Sequence, residues 1–402
     1  MRKNAVNREL TPIEGGVCAV DGFSAGGVAC GIREDGALDL AAVLSDKRCP
    51  AACVFSTSQR VGAPIIITRK NIKNGYARVV VANGGIANAF LPDGERLAQK
   101  MCMLAEKSFH VLREETLVAS TGVVGRALSM DFLERGFASI SSRMSADEEG
   151  SIAAAMALSD KQAKAGQLSY SFELGDFTCR IGAIFKGSMH VAPNMATTLA
   201  FLTTDVCISP KMLQSALATS VKETLNLLNI DGQPSPNDMV CIMANGRAGN
   251  CIIDRVDTEY HKFCYALRAV LTEVCRAIAA GENGDRKVTF CHVKGAKSKQ
   301  LARCLSKKLV GSQGVENLLY NPEPVLDVES IFYALAELDC VNTYEKVQIF
   351  LRSAKGELLL FEDGKRLPCS KERIIEVLSE KEVGVCVALN VGNYAACAYG
   401  CI

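Results

Sequence analysis

The run KGSMHVAPNMATTLAF, Lys186 to Phe201, sets two threonines, Thr197 and Thr198, at the mouth of an apolar segment behind a Pro193-Asn194 step. A hydroxyl at such a place can open a strand or cap a helix. It can also be a nucleophile, provided that a base takes its proton. The sequence fixes no histidine for that task apart from His190, whose geometry it leaves open. Cleavage between Ala196 and Thr197 would supply the base internally, because the new α-amine titrates at about 7.7 to 8 and lies beside its own hydroxyl. The same hydroxyl would first have to attack the Ala196 carbonyl. A strained turn around Pro193-Asn194 would present that bond, and the small Ala196 leaves room.

Two glycine-rich runs offer partners for such chemistry. Asn83-Gly84-Gly85-Ile86-Ala87-Asn88 and Ser120-Thr121-Gly122-Val123-Val124-Gly125 each follow an apolar run. Either can be a tight turn. A Thr-Gly step leaving a strand can also aim a hydroxyl and a backbone N–H at one point, as an oxyanion hole requires. Gly26-Gly27-Val28-Ala29-Cys30-Gly31 lacks the GxGxxG pattern, and Lys186-Gly187-Ser188 lacks the glycine-rich turn of a P-loop, so neither nucleotide fingerprint is satisfied.

The bulk numbers narrow the partners. With 402 residues the chain can bury a large core. Its 45 basic and 44 acidic side chains nearly cancel, so no field of one sign gathers nucleic acid or an anionic membrane. A small molecule or a protein is the expected partner. The 18 cysteines are scattered in apolar company without a CxxC pair, which suits reduced, buried thiols. Neither they nor the four histidines have zinc-ligand spacing, so no metal is expected. The start MRKNAVNREL lacks the apolar run of a secretion signal, and no membrane-length apolar run occurs, which points to the cytoplasm.

The elements that must position these residues follow from periodicity. Ala63 to Thr68 and Arg78 to Ala82 read as strands. From Asp93 onward Leu97, Met101, Leu104, Ala105 and Leu112 repeat at helical spacing. A second helix follows Ser209-Pro210, with Leu213, Leu217, Val221 and Leu225 as its stripe. A third runs from about Glu259 to Ala279, with Phe263, Leu267, Val270, Val274 and Ile278 inward. Ala163 to Gly182 reads as short strands and turns, Met239 to Ala244 and Val288 to Val293 as strands, and Val347 to Phe361 as a hairpin turning at Lys355-Gly356. This order of elements predicts an α/β body of mixed sheets covered by helices.

The quoted run resembles the self-cleaving motif of the ornithine acetyltransferase family, the bifunctional glutamate N-acetyltransferases of arginine biosynthesis, whose pattern is approximately KGSGMIxPNMATMLAF followed by TTD. GFSAGGVACGI from Gly22, VFSTSQRVGAP from Val54, the NxGxAN-like run at Asn83, STGVVGRAL from Ser120, LNIDGQPSPND from Leu228 and VALNVGNYAACAYGC from Val387 fall in family order. The resemblance implies a layered αββα-type sandwich cut between Ala196 and Thr197 into interlocked chains, an α chain over 1–196 and a β chain over 197–402, with 297–402 as a smaller C-terminal α/β part. It implies Thr197 as nucleophile and Thr121 and Gly122 as the oxyanion hole. Lys186 matches a substrate-binding lysine, with a solvated surface charge as the alternative. Glu282, in AGENGDRK, would meet the amino end of the substrate, and Ser159 stands where the family has a binding threonine.

The implied reaction is a double displacement: N-acetylornithine gives its acetyl group to Thr197, ornithine leaves, and glutamate takes the acetyl group. No cofactor is needed, although acetyl-CoA is an alternative donor in some members. Family members assemble two α and two β chains. Met189 replaces the second glycine of KGSG, where slower self-cleavage is expected. The family pattern continues past AYGC into a tail resembling DLTxxYVxINAxYRT where this sequence reads Cys401-Ile402. That departure suggests either a shortened reading frame or an altered amino-acid pocket. An amidohydrolase with the same nucleophile, water replacing the acceptor amine, and a catalytically silent binder are the competing readings.

Overall fold

The computed structural model describes residues 10–159, 165–187, 198–230, 235–281, 284, 286–320, 328–340 and 344–402. The chain forms two compact units, Met1–Val221 with Pro234–Val274, and Lys222–Gln233 with Cys275–Ile402.

The first unit is built on strands β1 (Leu10–Pro12), β2 (Phe23–Val28), β3 (Leu40–Phe55), β4 (Tyr76–Asn83), β5 (Thr116–Ser120), β6 (Ala165–Leu174), β7 (Phe177–Lys186), β8 (Leu199–Thr204) and β9 (Met239–Ala244). They pair in the order β1-β6-β7-β8-β9-β3-β4-β5, with β2 alongside β3. The β4–β5 and β8–β9 pairs are parallel and the others antiparallel, a mixed sheet as expected. β3 turns the corner. Its first part pairs with β2 and β4, the register slips between Leu44 and Cys49, and Ala51–Phe55 then pairs with β9. The two halves therefore share one core, in which Val43, Val80 and Leu117 meet Ile184, Phe201 and Cys241. Helices α1 (Ala63–Asn71), α2 (Gly94–Phe109), α3 (Met130–Ile140), α4 (Glu148–Leu158), α5 (Pro210–Glu223) and α6 (Thr258–Ala280) complete the α/β layers. Leu97 and Met101 of α2, with Leu133 and Phe137 of α3, cover Val79, Val81 and Val118 of the sheet.

Three local expectations are corrected. Ala63 to Thr68 is the start of α1, not a strand. An uninterrupted apolar run fits either element, and here Pro64 takes the first helical turn, where its missing N–H costs nothing. The helix has a use for Thr68, whose hydroxyl donates to the Val118 carbonyl at 2.7 Å and accepts from its N–H at 2.8 Å, closing part of edge strand β5. Leu112 does not continue the stripe of Leu97, Met101, Leu104 and Ala105: α2 ends at Phe109, His110 turns left-handed with φ 53°, and Leu112 is exposed. From Ala165 the stretch read as short strands is a long hairpin, β6 and β7 of ten residues each, turned at Gly175-Asp176. β4, β9, α5 and α6 lie where periodicity put them, although Leu225 falls just past α5.

The second unit has strands β10 (Val288–Ala296), β11 (Gln348–Ser353), β12 (Gly356–Glu362), β13 (Lys365–Arg366), β14 (Glu382–Ala388) and β15 (Tyr394–Cys401), in the order β13-β12-β11-β14-β10-β15. Helices α7 (Lys299–Val310), α8 (Gln313–Tyr320), α9 (Glu329–Glu337) and α10 (Lys371–Leu378) supply Leu305, Leu309, Ile331 and Val377 to a core with Val293, Ile349, Leu351, Val385 and Val387. The Val347–Phe361 hairpin is β11 and β12. Of the 18 cysteines 11 are buried, which fits their use as small apolar side chains. Among the described residues no helix is long and apolar enough to cross a membrane.

Candidate active site

Four strand ends of the first unit meet at one level. Lys186, the last residue of β7, lies opposite Leu199, the first full residue of β8; Leu199 is paired with Met239 of β9, and Met239 with Phe55 of β3. The residues just beyond this row are Thr198, Asp238 and Ser56. Ser56 N–H donates to the Asp238 carbonyl at 3.0 Å and Met239 N–H to the Thr198 carbonyl at 3.0 Å, so the backbone of Asp238 is clamped from both sides. Thr198 N–H donates to Asp238 Oδ1 at 2.7 Å.

Thr121 arrives from the opposite side. It leaves β5 one residue after Ser120, whose hydroxyl donates to Asn83 Oδ1 at 2.6 Å, while Asn83 Nδ2 donates to the Ile86 carbonyl at 2.8 Å. Backbone bonds from Thr121 N to Asn83 O and from Val123 N to Gly85 O tie the two glycine-rich turns together. Gly122 lies between them with φ 125°, and a Cβ there would stand 2.1 Å from the Gly85 carbonyl carbon. Only glycine meets both demands. Among the described residues no acceptor takes the Gly122 N–H.

Lys186 is buried, 1% exposed, and its Nζ donates to Thr121 Oγ1 at 2.7 Å. It is not a solvated surface charge. A hydroxyl that accepts from an ammonium keeps its own hydrogen for another acceptor. Thr121 O–H and Gly122 N–H are thus two donors on consecutive residues, beside the strand end that carries Thr198. That arrangement can receive negative charge developing on an oxygen.

Ser159 closes α4, and its Oγ accepts from Ala165 N–H at 2.8 Å. Ala165 is the β6 partner of Lys186, which places Ser159 at the same end of the sheet. Thr197, Ala196 and Glu282, together with His190 and Met189, lie outside the described residues. The structure therefore gathers Thr121, Gly122, Lys186 and Ser159 around the strand that begins two residues after Thr197.

Two participants were not anticipated. Asn237 Nδ2 donates to the Ala87 carbonyl and to Ser120 O at 3.1 Å, linking the entry of β9 to both glycine-rich turns. Asp238 is fully buried, and burial pushes its carboxyl well above the ordinary range, against the lowering effect of Thr198 and Ser235 backbone N–H groups. Their only sequence signal is position: PND closes directly onto a strand.

The ArgJ family model matches residues 24–401. An arginine biosynthesis bifunctional protein ArgJ of Staphylococcus epidermidis is 33% identical over 97% of this chain and 96% of its own length. A glutamate N-acetyltransferase of Methanocaldococcus jannaschii is 33% identical, again over 97% of this chain and 96% of its own. A solved arginine biosynthesis bifunctional protein argJ of Bacillus halodurans is 28% identical, covering 46% of this chain and 99% of that one with a TM-score of 0.44.

Proposed function

Since the chain belongs to the ArgJ family and is an N-acetyltransferase of arginine biosynthesis, we propose that it moves an acetyl group from N-acetylornithine to glutamate through an acyl-enzyme on Thr197. The chain first breaks its own peptide between Ala196 and Thr197, giving an α chain of residues 1–196 and a β chain of residues 197–402, two of each in the assembled cytoplasmic enzyme. The observation that carries this reading is the buried 2.7 Å contact of Lys186 with Thr121, beside the unclaimed Gly122 N–H and the Thr198 end of β8. A lysine is rarely sunk this deep without a task.

The steps follow from the groups present. The Thr197 α-amine takes the hydroxyl proton as Oγ bonds to the acetyl carbon. Negative charge on the former carbonyl oxygen falls between Thr121 O–H and Gly122 N–H, each such donor contributing about 3 to 4 kcal/mol. Collapse of that adduct breaks the amide bond, and ornithine leaves with the proton on its amine. Glutamate then enters, its neutral amine attacks the acyl carbon, and the proton it sheds returns through the α-amine to Thr197. Lys186 fixes the Thr121 hydroxyl and sets positive charge near a substrate carboxylate. Ser159 lines the same end of the sheet, and Glu282 receives the amino end of the substrate. The cycle uses no cofactor, and acetyl-CoA is an alternative donor to the same acyl-enzyme.

Intact-mass measurement and acetyl transfer test the reading together. The expected result is two chains divided at Ala196-Thr197, an acetyl adduct on the β chain after incubation with N-acetylornithine, and N-acetylglutamate when glutamate is added. A single uncut chain that still transfers acetyl would overturn the role of Thr197. Release of free acetate in place of N-acetylglutamate would make the protein an amidohydrolase.

A further inference from the structure

Asp238 is held more firmly than its neighbours require. Its carbonyl accepts from Ser56 N–H, the next residue's N–H bonds to Thr198 O, and its Oδ1 accepts from Thr198 N–H at 2.7 Å. The residue is 0% exposed, yet among the described residues no donor meets Oδ2 at hydrogen-bond distance and angle, although the Ser235 N–H also acts on the carboxyl. Leaving a carboxyl oxygen bare in a dry interior costs free energy that evolution could remove with an asparagine or a serine. The other deeply buried carboxylates of this unit are satisfied by the backbone: Asp39 accepts from the N–H groups of Cys30, Gly31 and Arg33, and Asp205 from that of Arg180. Asp39 engages both of its oxygens in this way, whereas Oδ2 of Asp238 has no such bond.

Connectivity says what could use it. The Thr198 nitrogen held by Oδ1 carries the acyl end of Thr197, and three covalent bonds, a span of about 3 Å, separate it from the Thr197 α-nitrogen. A carboxyl group bridges such a span. We propose that Asp238 is the positioning residue of the nucleophile: Oδ1 anchors the peptide that follows Thr197, and Oδ2 orients the Thr197 nitrogen, first while the chain is cut and afterwards as the free α-amine. The inference rests on the acyl-enzyme reading above. The α-amine donates to Oδ2 before transfer, which aims its lone pair at Oγ, and the ammonium formed on transfer favours the ionised carboxyl that burial alone disfavours, so that Oδ2 accepts from it. Asp238 itself exchanges no proton with substrate.

The test is Asp238→Asn against Asp238→Ala and Thr197→Ala in the full chain. Asparagine keeps the shape and the Oδ1 acceptor for Thr198 but replaces Oδ2 with an NH2 group, which cannot accept from the amine. The expected result for D238N is a melting temperature close to the parent's, cutting at least tenfold slower, and, per cut molecule, kcat lowered at least thirtyfold with KM within threefold. D238A, which also strips Thr198 of its acceptor, loses more of both. A folded D238N that never cuts supports the same role at the first step. D238N that cuts and turns over like the parent, with D238A impaired, reduces Asp238 to a structural support and overturns the inference. Should D238N not melt cooperatively, Asp238→Glu decides: a tenfold lower kcat supports the positioning role and parental kcat overturns it. An uncut parent, or an active Thr197→Ala variant, would instead sink the acyl-enzyme reading whatever Asp238 does.

Discussion

The two sheets treat buried polarity in opposite ways. Among the described residues, every buried carboxylate or ammonium side chain, Asp39, Glu115, Lys186, Asp205 and Asp238, belongs to the first unit. Among the described residues the second unit buries hydroxyls such as Thr224, Thr289 and Ser306, and thiols such as Cys291, around a core of valine, leucine and isoleucine. Both sheets are mixed and helix-covered, so topology is not the cause. Burying charge is expensive, and each instance needs a partner or a purpose. Within the first unit the charges divide again. Asp39 and Asp205 are met by backbone N–H groups and hold loops, whereas Lys186 and Asp238 stand at the strand ends that flank Thr198. The difference marks which part of the molecule trades stability for chemistry.

Variants in the first unit should therefore lose activity out of proportion to stability. The largest effect is expected for Thr197→Ala: an uncut chain on mass measurement and acetyl transfer lowered roughly 10⁴-fold. Gly122→Ala comes next. Its Cβ would press on the Gly85 carbonyl at a φ that side chains avoid, so it should cost about 2 to 4 kcal/mol in denaturant unfolding and push the N–H off target. Lys186→Met sharpens the contrast most. It removes the partner of the Thr121 hydroxyl, so kcat should fall about 10²-fold. It also removes a buried charge, so the midpoint of unfolding should hold or rise. If Lys186→Met lost stability and kept activity, the division between the two units would fail.

How much of this was legible follows from range. Thr121, Gly122 and Lys186 each sit in a local motif, and strands such as β4 and β9 announce themselves by short apolar runs closed by turn signals. The α1 segment did not, because Ile65, Ile66 and Ile67 in succession have no period to read. Its helical identity rests on Pro64 and on the long-range bond from Thr68 to Val118. Asp238 and Asn237 were invisible as site residues for a related reason. Their partners, Thr198 and Ser120, lie 40 and 117 positions away, and only the arrival of β9 beside β8 and below the β5 turn gives their side chains a task. Spacing along the chain carries no trace of such a meeting.

The smallest predicted effect belongs to the second unit and probes the same rule from the other side. Lys307, near the end of α7, donates to the Asn226 carbonyl, and burial lowers its pKa to about 8 from an ordinary 10.5. A folded-state pKa below the unfolded one means that, between about pH 8 and 10.5, the unfolded chain binds more protons, so stability rises with pH across that window. Below pH 8 both states hold the proton and the burial cost is present in full. Lys307→Met removes the titration. Whatever fixed offset the lost carbonyl bond brings, the variant's stability relative to the parent should be greatest at pH 7 and decline by about 1 to 2 kcal/mol by pH 10.5. Denaturant unfolding of both proteins at the two pH values measures this, since all other titrations cancel in the difference. A gap that stayed constant with pH would mean that the second unit, too, can hold a charge below its surface without cost, and the contrast with Lys186 would lose its physical basis.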